Sequence, residues 1–245
     1  HLAAAYYTAP NVKINKPILG FTCDGAGDGL CATVSICKNN NINRIGSTNR
    51  HASLGKIYSR ITMLLGMKPW EHEYKIMGLA PYADQEVAKF ESKKLHNLLK
   101  FSNNGLDFKL NSSLSTNYSY FYLKEKFERV RFDNISGAVQ SFTEDMLVKW
   151  VKSAIKKTKI RDIVCGGGVF MNVKANMLIQ NLPEVKSMYV MPSASDESLS
   201  IGAALHYYYN NKKIFNAING NMENLYLGSE VKKNELQKTL LSLKK

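Results

Sequence analysis

The C-terminal half of the chain alternates between strand-like and helix-like segments. The apolar run 162–165 ends in three glycines and is followed by a helical pattern over 169–181. A second apolar run, 187–191, leads into another helical pattern over 196–209. Because a strand–helix–strand connection returns the chain to the same sheet in parallel orientation, this order predicts a layered α/β fold with a largely parallel sheet.

The N-terminal half adds strands and helices that suit the same layers. Short apolar runs at 17–24 and 30–37 predict two strands joined by a Gly/Asp turn. From Ser53 onward, apolar residues recur every three or four positions, which predicts a helix. The remaining predicted elements are a short Ala/Tyr helix after His1, amphipathic helices over 84–100 and 231–243, a long helix capped by Asn134, and an irregular surface insertion over 102–120.

The chain is strongly basic, with 33 Lys and Arg residues against 20 Asp and Glu residues and a formal net charge of +13. The lysines are interleaved with apolar residues at helical spacing. We therefore interpret the excess as a solvated basic surface rather than a phosphate-binding one. On this interpretation, nucleic acid is not an expected partner.

Composition also bounds the class of protein. Hydrophobic residues make up 44% of the 245 residues, which is enough for a sizeable core. No apolar run approaches the roughly 18 residues that a membrane span needs. The four cysteines show no CxxC pair and no metal-finger spacing, which is typical of buried thiols in a reducing compartment. We expect a globular, cytoplasmic protein with no membrane partner.

Both strand-to-helix turns in the C-terminal half have features of ligand sites. In the first turn, Gly166, Gly167 and Gly168 let the backbone approach a ligand closely, and free N–H groups at the start of the helix favour an anion. Asn172 is expected within the first turn of that helix. The alternative is a tight packing turn. The second turn places Asp196 at a helix start, where the alternative is an ordinary N-cap.

The N-terminal turn Asp24-Gly-Ala-Gly-Asp28 supplies two carboxylates that flank Gly25 and Gly27. Carboxylates with flexible backbone between them suit a hard or borderline metal, or a phosphate bound to one. The alternative is an Asp-Gly hairpin.

The segment 71–82 alternates acidic and basic residues. It also contains Gly78 and Pro81, which are expected to stop any helix, so it predicts a loop that crosses a site. A helix end at the surface is the alternative.

Five blocks of this chain, in the same order, resemble the O-carbamoyltransferases of the NodU/CmcH type, which act in nodulation-factor and antibiotic biosynthesis. The blocks are Asp24–Asp28, Ser53–Ser59, Lys75–Tyr82, Gly166–Asn176 and Pro192–Ala204. Ordered blocks of this kind make the resemblance specific.

The resemblance implies a layered fold of the actin/sugar-kinase/heat-shock ATPase (ASKHA) type, akin to the domain that transfers threonylcarbamoyl to tRNA. It implies that 1–222 is a partial kinase-like carbamoyl-transfer domain, incomplete at the N-terminus. Residues 223–245 would be a linker, with Asn224–Gly228 at its start, and the beginning of a missing C-terminal adenylating domain.

The resemblance also implies a reaction in two steps. In the family, the adenylating domain makes carbamoyl-adenylate from ATP and carbamoyl phosphate. The kinase-like domain then moves the carbamoyl group to a hydroxyl of a sugar or other natural product. The implied partners are this small-molecule acceptor, a nucleotide, and the adenylating domain of the same full-length chain.

The family binds a divalent metal, iron by resemblance, through a His-x-x-x-His pair and acidic residues. His1 resembles the second histidine of that pair, so the implied metal ligands are His1, Asp24 and Asp196. Imidazole and carboxylate ligands also permit manganese or zinc.

The remaining residue roles follow from the same resemblance. Gly25, Gly27, the Gly166–Gly168 turn and Asn172 are implied to contact the nucleotide. Glu73 and Lys75 are implied to line the transfer site, with Asp196 as a third catalytic candidate. The family usually has Gly between the residues that match Glu73 and Lys75, where this chain has Tyr74.

Three alternatives stay open from the sequence. A kinase of the same fold would use ATP directly, although the Lys75–Tyr82 block counts against it. A relative of the threonylcarbamoyl enzymes would bind tRNA through the basic surface. The third alternative is an inactive fragment of a longer protein.

Overall fold

The computed structural model describes residues 1–10, 15–211, 228–229 and 232–243. The strands are β1 (Ile18–Gly27), β2 (Leu30–Lys38), β3 (Asn41–Asn49), β4 (Leu99–Phe101), β5 (Phe108–Leu110), β6 (Asp162–Gly166) and β7 (Ser187–Val190). The helices are α1 (Leu2–Thr8), α2 (Leu54–Leu64), α3 (Glu73–Leu79), α4 (Gln85–Ser92), α5 (Tyr120–Lys126), α6 (Phe132–Thr158), α7 (Val173–Gln180), α8 (Leu199–Asn210) and α9 (Lys233–Ser242). The predicted linker start at 224–227 lies outside the described residues.

A five-stranded sheet in the order β3-β2-β1-β6-β7 forms the centre of the fold. Strands β1, β6 and β7 run parallel, whereas β1, β2 and β3 form an antiparallel meander. The predicted α/β class is confirmed, but the sheet is mixed rather than largely parallel.

Two tight turns explain the antiparallel half of this sheet. Asp28 and Gly29 have φ angles of 50° and 79°, and Asn39 and Asn40 have φ angles of 52° and 64°. Pairs of left-handed residues are typical of two-residue hairpins between antiparallel strands. The predicted Gly/Asp turn therefore lies at Asp28-Gly29, and residues 24–27 continue β1 instead of forming the turn.

Helix α6 packs across the sheet and carries the largest buried side chain. Trp150 is fully buried, and its ring centroid lies 5.0 Å from that of Phe21 on β1 and 5.0 Å from that of Phe108 on β5. Its indole N–H donates a 2.8 Å hydrogen bond to the carbonyl of Leu106. The small sheet β4-β5 is thereby tied to the main core.

Three predictions for 84–120 and 134 were wrong in detail. Helix α4 ends at Ser92, and the 3-10 helix Leu95–Asn97 and the strand β4, which pairs with β5, follow it. The segment 102–120 is no surface insertion, since Phe108 and Thr116 are buried. Asn134 does not cap α6, which begins at Phe132; its side-chain oxygen accepts a hydrogen bond from the amide of Asp84.

Most of the segment 71–82, from Glu73 onward, is helical rather than a loop. Gly78 lies within α3, and Pro81 lies in the first turn of the 3-10 helix Ala80–Tyr82 that follows. A proline is tolerated there because the N–H groups of a first helical turn have no intrahelical acceptor. The break in the pattern therefore marks a change of helix type.

None of the helices in the described part of the chain is long and apolar enough to cross a membrane.

Candidate functional site

The site lies where the carboxyl ends of β1, β6 and β7 meet. In open α/β sheets, this edge of the parallel strands is the usual place for a ligand. A cavity of about 510 Å³ opens here. Its walls come from the end of β1, the start of α2, residues 70–77, part of α6, the turn after β6, and the 195–196 turn.

Three predicted metal ligands come together at this edge. The His1 Nε2 atom lies 3.0 Å from Asp24 Oδ2 and 3.6 Å from Asp196 Oδ1. Each of the three residues offers one possible ligand atom, and these three atoms all lie within 4.8 Å of one another. Asp24 and Asp196 line the cavity, so the cluster faces it.

The donor set of this cluster fits a divalent metal. An imidazole with two carboxylates suits iron, manganese or zinc. The Nδ1 atom of His1 is buried and has no hydrogen-bond partner among the described residues, so the ring is oriented through Nε2. His1, Asp24 and Asp196 are thus the residues that could hold a metal.

Asp196 does not act as a helix cap. The 3-10 helix Asp196–Ser198 follows Ser195, α8 has Ser198 at its N-cap position, and neither helix start has a side-chain cap hydrogen bond. The carboxylate is 78% exposed. The N-cap alternative therefore does not describe it.

The pKa shifts of His1 and Asp24 both favour the charged forms of these side chains. The hydrogen bond with Asp24 raises the pKa of His1 against the opposing effect of burial, and the charges of Asp24, Asp196 and Glu197 add to the increase. Burial favours a higher pKa for Asp24. Hydrogen bonds from His1 and from backbone amides outweigh burial and hold the pKa of Asp24 below its usual value.

Hydrogen bonds hold Asp24 in place near the end of β1. The amide of Gly25 donates a 2.7 Å hydrogen bond to Asp24 Oδ1. The Ser53 hydroxyl donates to the Asp24 carbonyl at 3.1 Å and accepts from the amide of Lys56 at 3.1 Å. Ser53 thus caps α2 and joins its start to the site.

The triple glycine serves close packing around the cluster. Gly167 has a φ of 94°, and a Cβ atom there would lie 2.5 Å from the carbonyl oxygen of Cys23. Its amide donates a 2.7 Å hydrogen bond to the carbonyl of Ala194, which anchors the turn that carries Asp196. Of the three glycines, Gly168 lines the cavity, so the packing alternative describes Gly166 and Gly167.

Asn172 lines the cavity and caps α7 rather than lying within its first turn. Its Oδ1 accepts a 3.0 Å hydrogen bond from the amide of Ala175. Its side-chain amide also exchanges two hydrogen bonds with Gln140 of α6, at 2.9 and 3.0 Å. Tyr58 donates to Gln140 Oε1 at 3.0 Å, which extends the network to α2.

Of the two residues implied at the transfer site, Glu73 lines the cavity and Lys75 does not. Glu73 and Tyr74 line the cavity, and Glu73 Oε1 accepts a 2.7 Å hydrogen bond from the amide of Trp70. Lys75 is not among the lining residues; its Nζ lies 5.8 Å from the ring centroid of Tyr74. Gly25 lines the cavity, whereas Gly27 is exposed outside it.

Lys56 and Trp70 also line the cavity, although no sequence pattern predicted either as a site residue. Lys56 Nζ lies 4.9 Å from the ring centroid of Trp70. Burial lowers the pKa of Lys56, as does the nearby Arg60, whereas Asp24 and Glu73 act in the opposite direction. Lys56 lies in the Ser53–Ser59 block, but a single lysine in an amphipathic helix gives no signal of its own.

Comparisons with known proteins cover most of the chain. The family model of the carbamoyltransferase N-terminus matches residues 1–205. An uncharacterised protein of Methanocaldococcus jannaschii is 31% identical over 236 residues, which cover 94% of this chain and 43% of that protein. Nodulation protein NolO of Bradyrhizobium diazoefficiens is 27% identical over 188 residues, which cover 76% of this chain and 34% of NolO. The chain therefore spans less than half of either relative.

A solved structure, HypF of T. kodakarensis, aligns with a TM-score of 0.41 and 12% identity over 81% of this chain and 34% of HypF. The match to the family model confirms the family that the five blocks indicated. Since that model spans most of the sequence, the chain belongs to the carbamoyltransferase family, in which it matches the N-terminal part.

Proposed function

We propose that this chain transfers a carbamoyl group from carbamoyl-adenylate to a hydroxyl of a sugar or other natural product. The observation that carries the proposal is the His1, Asp24 and Asp196 cluster at the edge of a cavity of about 510 Å³. Cavities of roughly 300–1,000 Å³ are typical of small-molecule sites. Membership of the carbamoyltransferase family supports the choice of group.

The proposal includes the source of the donor. An adenylating domain of the same full-length protein would make carbamoyl-adenylate from ATP and carbamoyl phosphate. The proposed fold of the transfer domain is the ASKHA type, with which the mixed five-stranded sheet between helices is compatible. The proposed location is the cytoplasm.

His1, Asp24 and Asp196 would hold a divalent metal, with iron favoured by the resemblance. Such an ion supplies a positive charge that stabilises negative charge developing on the oxygens of a reacting mixed anhydride. The nucleotide would lie against the backbone of Gly25 and Gly168 and beside Asn172, all of which line the cavity.

The transfer step forms one bond and breaks one bond. The acceptor oxygen forms a bond to the carbamoyl carbon, the bond from that carbon to the phosphate oxygen breaks, and AMP leaves. We assign the hydroxyl proton to Glu73, because its carboxylate lines the cavity and is oriented by the amide of Trp70. Lys75, outside the cavity lining, would act through its neighbours on α3.

The main competing function is a kinase that uses ATP directly. The decisive experiment supplies the full-length protein with a sugar panel, ATP and carbamoyl phosphate, and analyses the products by mass spectrometry. We expect AMP and carbamoylated sugar to form only when carbamoyl phosphate is present. ADP and a phosphorylated sugar formed without carbamoyl phosphate would establish the kinase instead.

The same assay tests the site. Glu73→Gln is expected to lower the kcat of transfer by about a hundredfold or more, since general base catalysis contributes roughly 10²–10⁴-fold. Formation of carbamoyl-adenylate should continue in this variant. An unchanged kcat would remove Glu73 from the proton transfer.

A further inference from the structure

A second cavity of about 290 Å³ adjoins the first one beside Lys56. Arg50, His51, Asn117 and Tyr118 line it together with Ala26 and Lys56. Ala26 and Lys56 also line the larger cavity, so the two spaces share a wall. A single ligand of sufficient length could therefore extend from one cavity into the other.

The second cavity presents hydrogen-bond donors, and no carboxylate is among its lining residues. A guanidinium group and an ammonium group donate without accepting. In the described parts of the chain, no Asp or Glu oxygen lies within 4.0 Å of a side-chain nitrogen of Arg50, Lys56 or Arg60. These cations are thus not neutralised by direct ion pairs.

Asn117 adds a further donor whose orientation is fixed. Arg60 donates to the Asn117 carbonyl at 2.8 Å and to Asn117 Oδ1 at 3.0 Å. Because a guanidinium can only donate, this contact assigns the amide oxygen and leaves the Nδ2 group as the donor. Nδ2 has no acceptor within the described residues, and it is available to a ligand.

Hydrogen bonds hold together the backbone segments that form the walls of this cavity. The amide of Arg50 donates to the carbonyl of Gly29 at 2.9 Å. The hydroxyl of Thr116 donates to the His51 carbonyl and accepts from the amide of Ser53, both at 3.0 Å. The segments that present Arg50, Lys56 and Asn117 are therefore held together.

We propose that the second cavity binds an anionic group, a phosphate or a carboxylate, of the acceptor substrate, whose hydroxyl then lies in the larger cavity. This inference rests on the proposed carbamoyl transfer and narrows the acceptor to an anionic class. The same chemistry could come from free phosphate or from carbamoyl phosphate. The experiment has to separate these sources.

The first measurement is calorimetric titration of the full-length protein with inorganic phosphate and, separately, with AMP. Arg50 lines the second cavity and not the first, so Arg50→Gln is expected to weaken phosphate binding at least tenfold and to leave AMP binding within twofold. Lys149→Gln is the control, because it removes one surface charge that pairs with Asp145 on α6. Equal phosphate affinity in wild type and Arg50→Gln would overturn the proposal.

The second measurement compares neutral sugars with their phosphates as acceptors, for example glucose with glucose 6-phosphate and mannose with mannose 6-phosphate. We expect kcat/KM to be at least tenfold higher for the phosphates. Arg50→Gln should abolish this preference by raising KM for the phosphates, and kcat/KM for the neutral sugars should stay within twofold. Arg50→Lys, which keeps the positive charge, should partly retain the preference.

A rise in KM for carbamoyl phosphate alone in Arg50→Gln would assign the anion to the donor and overturn the inference. Absence of any carbamoyl transfer by wild type would overturn the proposed function instead. Phosphate binding that depends on Arg50 would then still establish the anion site, so the two failures are distinguishable.

Discussion

At the scale of single residues, His1 joins two carboxylates that come from different parts of the chain. Asp24 lies near the end of β1 and Asp196 follows β7, and each carboxylate has an oxygen within 3.6 Å of the same imidazole nitrogen. Carboxylates in such proximity repel each other unless a positive charge lies between them. A cluster of this kind is therefore suited either to a protonated histidine or to a metal ion.

Asp196→Asn tests the metal proposal with little risk to folding, because the Asp196 carboxylate is 78% exposed. We expect iron or manganese affinity to fall at least tenfold, which corresponds to about 1.4 kcal/mol, with the melting temperature of the metal-free protein unchanged. Glu197→Gln is the matched control, since it removes a neighbouring carboxylate that accepts a hydrogen bond from Ser193 instead. Metal analysis after dialysis measures both variants, and equal metal content in Asp196→Asn and wild type would refute the assignment.

Gly167→Ala tests the packing role of the glycine turn. The positive φ and the 2.5 Å approach to the Cys23 carbonyl both exclude a Cβ atom. We expect a loss of about 3 kcal/mol or more in the free energy of unfolding, since strained backbone and overpacking each cost roughly 1–3 kcal/mol. Gly27→Ala, where a Cβ would meet nothing within 4 Å, should stay near wild type in urea denaturation. Similar losses in both variants would contradict this reasoning.

At the scale of elements, the amide pair of Gln140 and Asn172 joins α6 to the start of α7. Gln140 also contacts Tyr58 on α2 and Glu144 on its own helix. Helices α2 and α6, which line the cavity, and the cap residue of α7 therefore meet at one hydrogen-bonded network. Such a network holds this wall of the cavity in one arrangement only while all of its members are present.

Asn172→Ala should cost more than the loss of an ordinary helix cap. The substitution removes the cap of α7 and both hydrogen bonds between Asn172 and Gln140, and we expect the free energy of unfolding to fall by about 2–4 kcal/mol. Asp84→Ala is the comparison, because Asp84 caps α4 through the amides of Glu86 and Val87 without a buried partner. Thermal unfolding should show about 1 kcal/mol for this variant. Equal losses would mean that the Gln140 pair adds nothing to the cap.

The elements that could be predicted from the sequence are those with an apolar pattern and clear ends. The strands β6 and β7 and the helix α2 are examples, because each is an apolar run or stripe bounded by turn residues. Strand β3 was missed because it is an edge strand of mostly polar residues, with Thr48 as its buried member. Its place depends on pairing with β2, which no local pattern reveals.

The same limit applies to the site. Asp24 and Asp196 could be named from the family blocks and His1 from its resemblance to a family histidine, and the structure brings the three together. Lys56 and Arg50 could not be named, because their significance depends on two cavities formed by distant segments. Charge alone pointed to a solvated surface, whereas position next to the site distinguishes these two cations from the others.

At the scale of the whole molecule, the mixed sheet buries its sulfur atoms. All four cysteines are free and buried, with three on β1 and β2 and Cys165 on β6. Burial raises the pKa of the Cys31 and Cys37 thiols to about 12. Burial likewise raises the pKa of Cys23 and Cys165. The thiolate that reacts with alkylating reagents is therefore suppressed throughout the folded sheet.

The native protein should consequently resist iodoacetamide at pH 8 at all four cysteines, whereas the denatured protein should be labelled at each. Peptide mapping by mass spectrometry reports every site separately, and Ser113→Cys, at an exposed position, provides the thiol that must react in the native state. Because the four thiols lie on three paired strands of one sheet, they should become reactive together over a urea series. Labelling of Cys165 at lower urea than Cys31 and Cys37 would show instead that the parallel and antiparallel halves of the sheet unfold independently.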